Sequence, residues 1–245
     1  MFTASSFKTG LSRFCVIHAM RFFEFPMMNF NRVAPYFKRL EKIVFNNQMQ
    51  HCRTAQLGNL PSVNKTALIG EGDGEFLIEF LKHSNCEQVH YIDSSQTMLD
   101  LAQKRLRESS LHALDRVEFY HRDLIMEAMP DHGYDLIVTN YFLDVFTEQT
   151  LNECVSKIAA ACKESALWLN ADFQISGGRL QQLRAILWIK VMYLFFRLVA
   201  QIQAQTLIDP STILERHGFK LVTKKEYGRG LMRSELRRRD ERLTV

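Results

Sequence analysis

From Lys65 onward the apolar and polar positions alternate between two periods. Short apolar runs stand at KTALIG (65–70), QVHYID (88–93), RVEFYHRD (116–123), YDLIVTNYF (134–142) and SALWLNADF (165–173). Runs of this length, flanked by turn residues, predict strands. Between them lie segments of helical period. GEFLIEFLKHS (74–84) puts Phe76, Leu77, Phe80 and Leu81 on one face. SSQTMLDLAQKRLRES (94–109) opens with Ser94 or Ser95 as an N-cap, and TEQTLNECVSKIAAAC (147–162) with Thr147. A further helix is predicted at about 179–206, and FKLVTKKEYGRGLMRSELRRR reads as two strands turning at Gly228 and Gly230.

Strands apolar on both faces, alternating with helices, predict a parallel sheet covered by helices on both sides. The expected fold class is α/β: a Rossmann-like, doubly wound, mostly parallel seven-stranded sheet with a C-terminal antiparallel hairpin at its edge. Upstream, Phe37, Leu40, Ile43 and Val44 share one face of an amphipathic helix after Pro35, and LGNLPSVN (57–64) is a loop. Residues 1–28 have no acid before Glu24 and carry Lys8, Arg13 and Arg21 among Ser, Thr and Phe. That composition fits a presequence, or an over-long start before Met27 or Met28, and the segment is expected to be an extension outside the fold.

Charge and cysteine usage narrow the picture. The net charge of +4 divides into +6 for residues 1–60, −7 for 61–219 and +5 for 220–245. The basic stretch RSELRRRDER is expected to be a solvated edge strand and tail, and no aromatic-interleaved basic motif marks an RNA surface. Five cysteines without a C-x-x-C pair indicate reduced thiols in a cytosol-like compartment. The eight histidines form no metal-binding motif, so no metal is expected.

Candidate chemistry gathers where a doubly wound sheet binds ligands, at the carboxyl ends of its strands. Gly70, Gly72 and Gly74 follow the first strand, Asp93 the second and Asp123 the third; Asn140, Tyr141 and Asp144 follow the fourth, and Asp172 and Phe173 end the fifth. The glycines allow close backbone approach, and a helix N-terminus follows at Gly74. Asp93 lies about twenty residues further on, the spacing at which an acid accepts ribose hydroxyls. Glu71 and Asp73, with no Arg or Lys nearby in sequence, would repel a pyrophosphate and suit a cationic ligand.

ALIGEGDGEF, YIDSS, RVEFYHRDL and YDLIVTNYFLDVF, in that order and followed by a terminal hairpin, resemble the class I S-adenosylmethionine-dependent methyltransferases over roughly residues 31–240. The resemblance implies S-adenosyl-L-methionine as cofactor. It places Gly70, Glu71, Gly72 and Gly74 at the methionine end, Asp93 at the ribose, Asp123 at the adenine edge and Asn140 near the sulfonium. It also implies one domain over residues 29–245: a helical cap (29–60), a cofactor-binding half (61–175), and a long helix with the hairpin (176–245). Leu68 stands where the family mostly has an acid, a contact for which Glu71 or Asp73 is expected to substitute. FNRVAPYFKRLEKIVF (30–45) is loosely similar to the opening helix of quinone-ring methyltransferases, with Phe37 where those have an acid.

The implied activity is in-line methyl transfer to a small lipophilic or aromatic acceptor, with Tyr141 and Asp144 as the residues expected to meet it. Aminopropyl transfer from decarboxylated S-adenosylmethionine and a non-catalytic binding domain are the alternatives. No nucleic-acid partner is expected. The apolar segment 183–203, interrupted by Lys190 and Arg197, predicts a core or pocket helix with contact to a membrane surface as a second use. The expected location is cytoplasmic, at most membrane-peripheral.

Overall fold

The computed structural model describes residues 47–109, 113–176, 178 and 207–240. The extension 1–28, the stretch 30–45 with its second resemblance, and the helix expected at 179–206 lie outside the described residues.

The described elements in chain order are α1 (Gln48–Thr54), β1 (Lys65–Ile69), α2 (Glu75–His83), β2 (Gln88–Asp93), α3 (Gln96–Glu108), β3 (Val117–His121), β4 (Tyr134–Asn140), α4 (Glu148–Ala160), β5 (Cys162–Phe173), α5 (Ser211–Arg216), β6 (Phe219–Tyr227) and β7 (Met232–Arg239). The strands form one seven-stranded sheet in the order β3-β2-β1-β4-β5-β7-β6. The first five pair in parallel, and β7 runs antiparallel to both β5 and β6. The winding reverses between β1 and β4, which opens a crevice at their carboxyl ends.

Strand alternation divides the core between two faces. Leu68 of β1 packs with Phe76, Phe80, Tyr91, Leu99, Val138 and Leu169 on one side. Its neighbours Ala67 and Ile69 pack with Ile92, Ile137, Leu151, Val155, Trp168 and Phe219 on the other. The caps form where the sequence places them: the Ser95 side chain accepts the Met98 N–H, and that of Thr147 accepts the Thr150 N–H.

One expectation is corrected. The strand carrying RSELRRR is not at the solvated edge. β7 inserts between β5 and β6, and the outer strand of the hairpin is β6. Arg233, Glu235 and Arg237 therefore point into one buried face, at 4%, 2% and 1% exposure. Buried charge needs partners. Arg237 donates to Glu235 (2.9 and 2.8 Å) and to Glu215 (3.3 Å), and Arg233 pairs with Asp209 at 2.5 Å. A run of basic residues in sequence is thus an internal ion-pair ladder in space.

Candidate active site

The loop 70–74 joins β1 to α2 at the crevice. Its three glycines have φ of 65°, 73° and 80°, a region costly for any side chain. Each serves a different neighbour. A Cβ on Gly70 would lie 2.4 Å from the Phe142 ring, and one on Gly74 would lie 2.8 Å from Ala102 of α3. A Cβ on Gly72 would meet nothing within 4 Å. Gly70 and Gly74 are thus packed by the protein, and Gly72 leaves its face open. The Tyr91 hydroxyl donates to the Gly72 carbonyl at 2.8 Å and the Ile92 carbonyl accepts the Gly70 N–H at 2.9 Å, which fixes the loop to β2.

The two acids of the loop have different fates. Asp73 receives a bidentate pair from Arg105 of α3, at 2.9 and 2.8 Å. Glu71 is buried, with Asn140 beside its carboxyl. The Asn140 side chain, at the end of β4, is buried as well. Burial pushes the Glu71 carboxyl up to about 8, opposed by the Arg53 guanidinium and by Asn140 beside it. Arg53 reaches this site from α1 and lies over the Tyr141 ring, 5.2 Å from its centre. The loop acids therefore do have arginines beside them. Arg53 and Arg105 come from helices remote in sequence, which spacing alone could not reveal.

Asp93 ends β2 with its carboxyl Oδ1 accepting the Ser95 N–H at 2.8 Å. Burial pushes its pKa up to about 6, against the N–H groups of Ser95 and Gly72 that favour the charged form. Asp123, half-buried in the turn after β3, accepts the Ile125 N–H at 2.9 Å. Tyr141 follows β4 in the left-handed region, φ 54°, with its N–H on the Ala171 carbonyl at 2.7 Å. Its ring packs on Phe173 at 5.0 Å between centres, and its hydroxyl donates to the Met232 sulfur at 3.2 Å. Asp144 sits in the short turn Leu143–Val145, buried, and shares a hydrogen bond with Asp172 of β5.

The structure thus gathers Gly70, Glu71, Gly72, Asp93, Asn140 and Tyr141 around the β1/β4 crevice. Gly74 braces the loop from behind, and Asp123 stands at the adjoining strand end. Asp144 belongs with Asp172, while Tyr141 belongs to the cluster of Met49, Cys52, Phe173 and Met232. Arg53, Tyr91, Arg105 and Phe142 complete the site and were not legible as site residues. Only Tyr91 carried a local signal, its place two residues before Asp93 on the strand.

Residues 68–167 match the family model described as a methyltransferase domain. The chain carries a methyltransferase domain of class I fold. Among solved structures it is similar to the N-methyltransferase NodS from Bradyrhizobium japonicum WM9, at 15% identity and a TM-score of 0.58, covering 85% of this chain and 93% of that one. It is also similar to the mitomycin 7-O-methyltransferase MmcR (15%, TM-score 0.62, 86% of this chain and 60% of that one). An O-methyltransferase family protein from Burkholderia thailandensis gives 15%, a TM-score of 0.64, and coverage of 86% and 61%. The chain spans about three-fifths of the last two. At such identities the likeness is one of fold. No curated protein sequence matches the chain.

The cofactor of a class I methyltransferase domain is S-adenosylmethionine, and the residues present fit it. The open face of Gly72, the buried Glu71 and Asn140, and the carboxyl of Asp93 at the next strand end form a cradle that fits a cationic adenosyl compound. Among the described residues no helix is long and apolar enough to cross a membrane.

Proposed function

We propose that this protein methylates a small, largely apolar or aromatic acceptor, with S-adenosylmethionine as methyl donor. The observation that carries the reading is the open face of Gly72 beside Glu71 and Asn140, two buried polar side chains that meet where the glycine loop and the end of β4 come together. Buried polar groups with hydrogen-bonding capacity to spare are suited to a polar ligand. The cofactor, when bound, supplies a methyl group already activated for displacement. The chain's part is then mainly to position and to exclude water. Gly70 and Gly72 admit the backbone, Asp93 takes the ribose, Asp123 the adenine edge, and Asn140 stands nearest the methyl.

The acceptor class is supported by the aromatic surroundings. Tyr141 and Phe173 pack together where β4 and β5 end, and Phe142 and Phe146 follow at 5.0 Å between centres. The similar solved structures include a mitomycin 7-O-methyltransferase and an N-methyltransferase. A nucleic-acid acceptor is disfavoured because Arg233 and Arg237 are themselves buried and already paired with acids of this chain. The four described cysteines are free thiols, in keeping with a cytoplasmic location.

The test is calorimetric binding of S-adenosylmethionine and S-adenosylhomocysteine, with NAD as control, followed by transfer of labelled methyl to a panel of phenols, hydroxylated heteroaromatics and amines. Micromolar binding of the adenosyl compounds and none of NAD is expected. Absence of binding would move the reading to a non-catalytic domain, with Leu68 as the residue responsible.

A further inference from the structure

A cavity of about 580 Å³ lies beyond the carboxyl end of β5, between α1 and the turn that joins β6 to β7. Gln48 and His51 of α1, Ser176, and Glu226, Tyr227 and Arg229 of the hairpin supply its side chains. Tyr227 packs on the cluster of Met49, Phe173 and Met232, against which Tyr141 also packs. The cavity and Tyr141 thus share one apolar wall. The turn itself is fixed in place. The Ser176 hydroxyl donates to the Gly230 carbonyl at 2.9 Å, and the Lys225 ammonium to the Ala55 carbonyl at 2.8 Å. A Cβ on Gly228 would lie 2.8 Å from the Met232 methyl, and one on Gly230 2.5 Å from the Ser176 hydroxyl. Between those glycines stands Arg229, in the left-handed region at φ 58°. That conformation favours glycine or asparagine, so the arginine is kept against the preference of its backbone. Strain of this kind at the rim of a cavity points to a use for the side chain.

We propose that this cavity seats the methyl acceptor, and that the acceptor is an aromatic carboxylic acid with its carboxylate on Arg229 and its ring toward Tyr227. The assignment rests on the methyl-transfer reading above and names the acceptor class within it. The charge balance of the lining supports it. Glu226 is already matched, by the Lys224 ammonium at 3.0 Å and by Gln174. Among the described residues Arg229 has no ion-pair or hydrogen-bond partner for its side chain, so the lining keeps a positive charge to spare. A guanidinium presents paired N–H groups that match a carboxylate in its plane. A lone guanidinium suits a single negative charge. A phosphate ester, with nearly two, would set the second against Glu226. His51 and Gln48 of α1 can hydrogen-bond a polar ring substituent. The volume holds a bicyclic aromatic acid.

The probe is 2-naphthoate, with methyl 2-naphthoate and 2-naphthyl phosphate as matched controls. Binding is read by naphthalene fluorescence on the full chain saturated with S-adenosylhomocysteine. The acid should bind the native chain at least about tenfold more tightly than the ester, the worth of a charge-assisted pair, and more tightly than the phosphate. Arg229→Gly is the decisive variant. It relieves the turn, so its melting temperature should equal or exceed the native one, and lost binding then cannot come from misfolding. It should lower naphthoate affinity about tenfold or more and leave that of the ester unchanged. Its affinity for S-adenosylhomocysteine, read separately by calorimetry, should match the native value. Equal binding of acid and ester, the same preference in Arg229→Gly, tighter binding of the phosphate, or no binding of the acid overturns the assignment while leaving the methyl-transfer reading intact. Failure of the native chain to bind S-adenosylhomocysteine overturns both.

Discussion

Asp144 and Asp172 share a hydrogen bond between their carboxyl groups, and both are buried, at 3% and 0% exposure. Two carboxylates cannot make that bond; one must carry the proton. Burial raises both pKa values, Asp144 to about 7, and the charge of Asp144 lifts Asp172 further while Arg233, its cross-strand partner on β7, opposes the rise.

This pair gives a pH dependence of stability. Unfolded, both acids ionise near their ordinary 3.8. The folded pair holds its proton to at least about pH 7, because Asp172 is lifted further than Asp144. Stability should therefore fall as pH rises above about 4, by up to about 1.4 kcal/mol per pH unit for a full proton, and go on falling above about pH 7 until the pair is fully ionised. Asp172→Asn supplies a permanent donor and removes the need for the proton. Thermal unfolding from pH 5 to 8 should then fall less steeply in the variant. Glu71 and Asp93 add slopes of the same sign to both proteins, so the difference isolates the pair. Equal slopes would show that the two carboxyls do not share a proton.

The three glycines should fail in different ways. Gly72→Ala meets open space, so its cost to the fold is the left-handed backbone alone, about 1–2 kcal/mol. Its larger effect should be loss of cofactor binding, because the methyl fills the cradle. Gly70→Ala adds a collision with Phe142 to the same backbone cost and should lower the melting temperature more. Phe142→Ala in the Gly70→Ala background should recover part of that loss. The same double change on Gly72 should recover nothing. A melting temperature for Gly72→Ala as low as for Gly70→Ala would mean that the open face is filled by the protein itself.

Asp93→Ala should weaken S-adenosylhomocysteine binding by about a hundredfold or more, since two hydrogen bonds to a charged group are lost. The fold should survive, at a cost of about 1 kcal/mol for the unmade Ser95 N–H bond. In the native chain Asp93 is ionised only above about pH 6. Affinity should accordingly decline below that pH. Undiminished affinity in Asp93→Ala would remove Asp93 from the site.

The doubly wound parallel sheet and its crevice were legible because parallel strands announce themselves as apolar runs separated by helical period. Gly70, Gly72, Asp93 and Asn140 follow from that order, since the ends of β1, β2 and β4 must meet where the winding reverses. The rest depended on contacts distant in sequence. Arg105 is 32 residues from Asp73, and only the packing of α3 on the loop joins them. Arg53 reads as one more basic residue of an amphipathic helix until α1 is seated beside Tyr141. The basic run at 233–239 looked solvated because the eye assigns charge to the surface. Its arginines are instead met by Glu235 of the same strand and by Asp209 and Glu215 from the segment before β6.

Tyr141 offers the test of the acceptor side. Its strained backbone is held by the N–H bond to Ala171, and its hydroxyl meets the Met232 sulfur and the Cys52 thiol. Sulfur is a weak hydrogen-bond partner, so Tyr141→Phe should cost the fold about 1 kcal/mol. The ring remains to pack on Phe173 and under Arg53, and cofactor affinity should not change. Turnover, measured with an acceptor identified from the labelled-methyl panel, should fall several-fold because the hydroxyl is the polar group nearest the aromatic wall at the ends of β4 and β5. Parallel loss of cofactor affinity and turnover would place Tyr141 in support of Arg53 and Glu71 instead. Unchanged turnover would make it a packing residue, its left-handed backbone then serving only to turn the chain from β4 toward Asp144.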